Sequence, residues 1–119
     1  MRIKRDELDI LFARYIKARD KVCQRCGCYS NSLQTAHFHG RAKKSVRWDE
    51  DNAVALCFGC HMYLTAHPLE HTEWFRNHLG ERFDMLNSRM RTPARYLDKQ
   101  AIELYLREEL KKYDGEGFS

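Results

Sequence analysis

Four of the five cysteines fall into two C-x-x-C pairs, Cys23/Cys26 and Cys57/Cys60, with 30 residues between the pairs. Each spacing suits a tight turn that aims two thiolates at one point. Two such turns supply the ligand count of a tetrahedral zinc site. In a reducing compartment such pairs are more often metal ligands than disulfides. The stretch VCQRCGCYSNS around the first pair is rich in turn formers and fits a zinc knuckle. A structural Zn2+ bound here would clip the middle of the chain into a closed loop. It would also add folding free energy to a chain of 119 residues, which buries only a modest core. Cys28 is left over: it is either a substitute for Cys26 in the ligand set or a small, partly buried thiol.

The second stretch with chemistry in it is AHFHGRAKKSVRW, residues 36–48. A neutral imidazole can serve as a general base near neutral pH or ligate a metal. His37 and His39 are two residues apart, so on a strand they would share a face. Arg41, Lys43, Lys44 and Arg47 follow at once. Cations so placed would contact the phosphates of a DNA backbone, or else form a solvated loop. No element resembles a base-reading helix, so recognition of shape or backbone is expected. Trp48 reads as an anchor of this loop in the core. His67, His71 and His78 read as the solvated faces of helices.

The elements that must hold these residues follow from periodicity. Residues 6–20 carry Leu8, Leu11, Phe12, Tyr15 and Ile16 at helical spacing, with Asp6 as N-cap. LQTAHF, 33–38, is short, partly alternating and suited to a strand; GRAKKSVRWDEDN is a polar loop. AVALCFGCHMYLTAH starts apolar, turns at Gly59 and continues as a helix that Pro68 ends. LEHTEWFRNHL is helical with Gly80 as C-cap, and ERFDMLNSRM is a short helix before Pro93. A last helix presents Ile102, Leu104, Tyr105, Leu106 and Leu110, and the tail GEGFS is expected to fray. This makes an α+β chain of one domain, 1–119, with an N-terminal helix over 6–20 and C-terminal helices over about 69–113.

Charge is uneven along it. Residues 1–48 carry 12 Lys and Arg against 4 Asp and Glu, whereas 49–119 carry 9 against 13. The basic excess surrounds the first cysteine pair and the histidine stretch, which points to a polyanionic partner on that side or to a solvated charged face. No apolar run approaches the roughly 18 residues of a membrane span, and MRIKRDELD has no apolar segment of a secretory signal. A cytoplasmic protein with no membrane partner is expected.

The order His37, Asn52, His61, interleaved with the two cysteine pairs, resembles the HNH nuclease family, which has the ββα-metal fold. LCFGCH following DEDNAVA is the strongest part of the resemblance, which spans about residues 20–67. Within the family the chain looks most like small phage proteins with a four-cysteine zinc, including recombination nucleases of the NinG (Rap) type. The resemblance implies a ββα core stapled by zinc and a metal-dependent endonuclease acting on duplex or branched DNA, in phage recombination or DNA processing. It places such a protein in the bacterial host cytoplasm.

The resemblance also implies roles. His37 would be the general base that activates water, and Asn52 would brace the loop against the hairpin. His61, at the start of the helix, would bind a catalytic divalent ion such as Mg2+ or Mn2+, its position fixed by the zinc through Cys60. The chain departs from the family at Ala36, where many members carry an acidic or histidine metal ligand. Either His37 is the base with His39 assisting, or His37 binds metal and His39 is the base. Asp49, Glu50 or Asp51 is a third source of the missing ligand. The competing function is a zinc-stabilised nucleic-acid-binding or adaptor protein without turnover, and the absent acid at Ala36 favours it.

Overall fold

The structure is a computed structural model that describes residues 6–116, with side chains to 113; residues 1–5 and 117–119, the latter in the predicted tail, lie outside it. Its elements in chain order are α1 (Glu7–Asp20), β1 (Gln34–His37), β2 (Ala53–Leu56), α2 (Phe58–Ala66), α3 (Pro68–Leu79), α4 (Arg82–Met90) and α5 (Lys99–Glu116). Short 3-10 turns lie at Lys44–Val46, Glu50–Asn52 and Ala94–Tyr96. The fold is therefore α+β.

α1 begins where its cap is. The Asp6 carboxylate accepts from the Leu8 N–H at 2.8 Å, satisfying one of the orphan donors of the first turn. The five apolar residues expected on its inner face are all buried. They pack on both strands and on α5, whose Leu106 and Leu110 are buried against the same core.

β1 and β2 pair antiparallel, with Gln34 opposite Leu56 and His37 opposite Ala53. A two-stranded sheet is marginal by itself. Here α1 covers one face and α2 the other, and the outer edge of β2 is closed as well. The Gln24 N–H donates to the Ala55 carbonyl at 3.0 Å, the Ala55 N–H to the Asp20 carboxylate at 2.8 Å, and Arg19 to the Ala53 carbonyl at 2.9 Å. All four residues of β2 are buried as a result. The C-terminal end of α1 thus occupies what would be an open edge.

Pro68 ends α2, as expected, but it also opens α3 as its first residue, where its missing N–H costs nothing. Gly80 caps α3 at φ 59°, ψ −127°, a backbone that suits glycine and turns the chain into α4.

Three sequence expectations are corrected. The loop after β1 is not simply polar: it buries Val46 in its first 3-10 turn as well as Trp48, the anchor expected there. The chain does not turn at Gly59, because α2 has already started at Phe58. On α5, Leu104 and Tyr105 are exposed, and only Leu106 and Leu110 of the expected apolar face are fully buried.

Candidate metal centre and histidine cluster

The Sγ atoms of Cys23, Cys26, Cys57 and Cys60 all lie within 4.8 Å of one another. The Cys26 and Cys57 sulfurs are 3.8 Å apart, and a tetrahedron of about 2.3 Å Zn–S bonds has edges of about 3.8 Å. Four soft thiol donors at that spacing fit zinc, and the group can hold a metal ion. Backbone N–H groups point at the sulfurs, Cys26 N–H at Cys23 (3.5 Å) and Cys60 N–H at Cys57 (3.4 Å). Cys57 is also the N-cap of α2. Arg25 donates to the Cys60 sulfur at 3.4 Å and lies over the Tyr63 ring.

The thiols titrate far apart. Burial opposes ionisation of Cys23, but the N–H groups of Cys26, Cys57 and Arg25 outweigh it and bring the thiol to about 6. Burial pushes Cys60 up to about 12, and the three neighbouring sulfurs add to that. Four thiolates at this spacing require a cation to ionise together. Cys28 stands outside the group of four; it is exposed, and its carbonyl accepts from the Cys23 N–H at 2.9 Å.

Asn52 is fully buried just before β2 and binds one residue from both sides. Its Oδ1 accepts from the His39 N–H at 2.8 Å, and its Nδ2 donates to the His39 carbonyl at 3.0 Å. The Phe38 N–H donates to the Asn52 carbonyl at 2.8 Å. The backbone just beyond β1 is therefore held rigidly to the start of β2.

His37 and His39 do not share a face. β1 ends at His37, and His39 sits in the bend that Asn52 fixes. The His37 ring turns to α1, 5.8 Å from the Phe12 ring, and lines a cavity with Thr35 and Arg41. The His39 ring turns to α4, where Nε2 meets Asn87 Oδ1 at 2.8 Å. Burial lowers the His37 pKa from its ordinary value and the Arg41 cation lowers it further, against Asp9 and the Arg47 carbonyl. It is a neutral imidazole at pH 7.

His61 lies on the opposite face of the sheet. Its Nδ1 is 2.5 Å from Gln34 Oε1. With an oxygen as the partner, Nδ1 carries the proton, which leaves the Nε2 lone pair available to a cation. Burial lowers its pKa as well. His71, read from sequence as a solvated residue, is half-buried: it stacks on Phe38 at 5.6 Å and 13°. Burial lowers its pKa, the His37 carbonyl works against that, and the His61 charge lowers it again. His67 and His78 stack on Tyr63 and Trp74.

The acids at 49–51 are engaged elsewhere. Asp49 takes a two-point contact from Arg89, at 2.6 and 3.0 Å. Asp51 pairs with Arg82 and Arg89, and Glu50 accepts from Tyr15 and Tyr105. Apart from the four cysteines, no group of three or more His, Cys, Asp or Glu gathers as a metal cage among the described residues.

The basic loop is organised by a residue that sequence reasoning passed over. Asp9 on α1 accepts from Arg41 (2.8 Å), from both Nε (2.9 Å) and Nη2 of Arg47, and from the Trp48 indole (2.8 Å). Burial opposes its ionisation, but Arg47, Arg41 and Trp48 together hold the carboxyl down to about 2. Arg47 is therefore a half-buried structural cation, while Arg41, Lys43 and Lys44 are exposed. Asp9 left no sequence signal beyond an acidic residue in a first helical turn, whereas Gln34 was detectable as the residue two before Ala36 on one strand face. No family model, curated protein or solved structure matches the chain.

Proposed function

We propose that the chain is a metal-dependent endonuclease of the HNH type, hydrolysing phosphodiester bonds of DNA, with a structural zinc at Cys23, Cys26, Cys57 and Cys60. One observation carries the reading: buried Asn52 clamps both backbone groups of His39 and so fixes the end of β1, where His37 stands. That is the brace a general base at a strand end needs. His61 stands on the helix that the second cysteine pair starts, across the sheet from His37.

In this reading neutral His37 takes the proton of the attacking water. Burial and Arg41 keep it unprotonated at neutral pH. His61 Nε2 would offer a ligand to a divalent ion, with Gln34 holding its tautomer. Such an ion would neutralise the scissile phosphate and the leaving oxygen. In the alternative assignment His37 binds the ion and His39, oriented by Asn87 on α4, is the base.

A second reading is a zinc-stabilised nucleic-acid-binding or adaptor protein without turnover. Ala36 is buried, His61 belongs to no group of three or more His, Cys, Asp or Glu among the described residues, and His37 and His61 face opposite sides of the sheet. It predicts DNA binding with no cleavage under any divalent ion.

Nicking of supercoiled, branched and single-stranded DNA with added Mg2+ or Mn2+ separates the two. His37→Ala is expected to lower the rate about 10²–10⁴-fold while zinc content stays unchanged. A variant that cuts as fast as the parent removes His37 from the base role.

A further inference from the structure

We propose that the cleft between α1 and β1 is a phosphate-binding subsite for a DNA strand, with Lys17 and Thr35 as contacts in addition to Arg41. The proposal deepens the nuclease reading and rests on it for the identity of the strand.

The cleft has a volume of about 280 Å³. That is just below the roughly 300–1,000 Å³ of small-molecule pockets and suits a phosphate with part of its sugar. Lys17 on α1 and Arg41 beyond β1 line it from two sides, and Thr35, Gln34 and His37 form its strand wall. Lys17 is exposed, and no side-chain hydrogen bond or ion pair engages its ammonium among the described residues.

Asp9 is the single carboxylate in the lining, and its charge is already met by Arg41, Arg47 and Trp48. The lining therefore presents net positive charge to an incoming group. Thr35 supplies the second, independent sign. Its Oγ1 is the one buried side-chain oxygen or nitrogen without a hydrogen-bond partner among the described residues. Buried hydroxyls nearly always have a partner. A phosphate oxygen in the cleft would pair with the Lys17 ammonium, and a rotation of the Thr35 side chain, which lines the cleft, would turn Oγ1–H toward it. A phosphate seated there lies beside His37, which shares the cavity. Charge complementarity thus favours a polyanionic strand as the occupant, and Lys43 and Lys44, which follow Arg41 in the chain, are exposed as well.

The test is fluorescence anisotropy with a short labelled DNA duplex, without added divalent ion, over a salt series. Lys17→Ala is expected to bind about 5–10-fold more weakly, with the slope of log K against log salt reduced by about one. Thr35→Val keeps the shape and strand preference but removes the hydroxyl. It is expected to weaken DNA binding about 3-fold or more while its thermal midpoint stays the same or rises, since an unpaired hydroxyl has gone. Affinity and stability would then move apart, which a purely structural Thr35 does not allow. Lys111→Ala on α5 serves as the control and is expected to bind as the parent does.

Lys17→Ala with unchanged affinity and salt slope overturns the proposal. So does Thr35→Val with unchanged affinity, or a parent protein that does not bind the duplex. Cleavage is scored separately with added Mn2+. A parent that never cuts, with both variants losing affinity, leaves the subsite standing and removes the hydrolytic reading. A parent that cuts, with both variants binding normally, does the reverse.

Discussion

Among single residues, Asn52 has the most to lose. It is fully buried and answers both backbone groups of His39, so truncation strands a donor and an acceptor at once. Each unsatisfied buried group costs about 1–3 kcal/mol. Asn52→Ala is therefore expected to lose about 2–4 kcal/mol in urea unfolding, with loss of order in the bend beyond β1. Asn52→Asp keeps the acceptor but turns the amide donor into a second oxygen facing the His39 carbonyl. It is expected to be about as harmful, and worse as pH rises. An Asn52→Ala protein as stable as the parent would show that the clamp is dispensable. The importance of Asn52 was legible in the sequence only through its place between His37 and His61. Its true partner was not, because nothing in the pattern said that β1 stops at His37 and that the next residues bend. The same bend separates the two histidines that strand alternation would have put side by side.

At the scale of elements, the cysteine knuckle and the end of α1 act as one device. Val22 to Gly27 leave α1, the Gln24 N–H docks on β2, and Cys23 and Cys26 meet the pair that begins α2. The metal would thus tie α1, β2 and α2 together at one corner, across a sheet of two strands that has little stability of its own. One zinc per chain is expected by elemental analysis of the purified protein. Cys57→Ser removes a ligand while its hydroxyl can still cap α2, and should release the zinc and, through loss of the metal, bring unfolding to markedly lower urea concentration. Strong chelators should do the same to the parent. A chain that holds no zinc, or whose stability ignores its removal, would reduce the four thiols to packing. The ligand set was readable from spacing alone because two C-x-x-C turns have few geometries. The closure of the β2 edge by Arg19, Asp20 and Gln24 was not readable. Those contacts join positions more than 30 residues apart, and no local propensity encodes them.

Across the whole molecule, helices with strong 3.6-residue periodicity were the most legible, and α1 falls within one residue of its expected bounds. The long-range charge pairing was the least legible. The basic excess of residues 1–48 is partly spent inside the fold, on Asp9, and only part of it faces solvent. Burial, in turn, gives the molecule an acid sensitivity that composition alone does not show. His37, His61, His71 and His78 each have a pKa held below the ordinary value, chiefly by burial. The folded protein therefore binds fewer protons than the unfolded chain as pH falls below about 6.5. Their stabilising contribution is complete above that pH and is lost as pH drops through the depressed folded values. Asp9 adds a second, separate loss further down, as pH falls from the ordinary carboxylate value of 3.8 toward about 2. Between about pH 7 and 5 the thermal midpoint is expected to fall by roughly 5 °C or more. Thiolate protonation would also loosen zinc at acid pH, so zinc content must be followed in the same samples. The histidine account requires the midpoint to fall while zinc is still bound. A midpoint that stays level until zinc is released would assign the acid sensitivity to the cysteines instead.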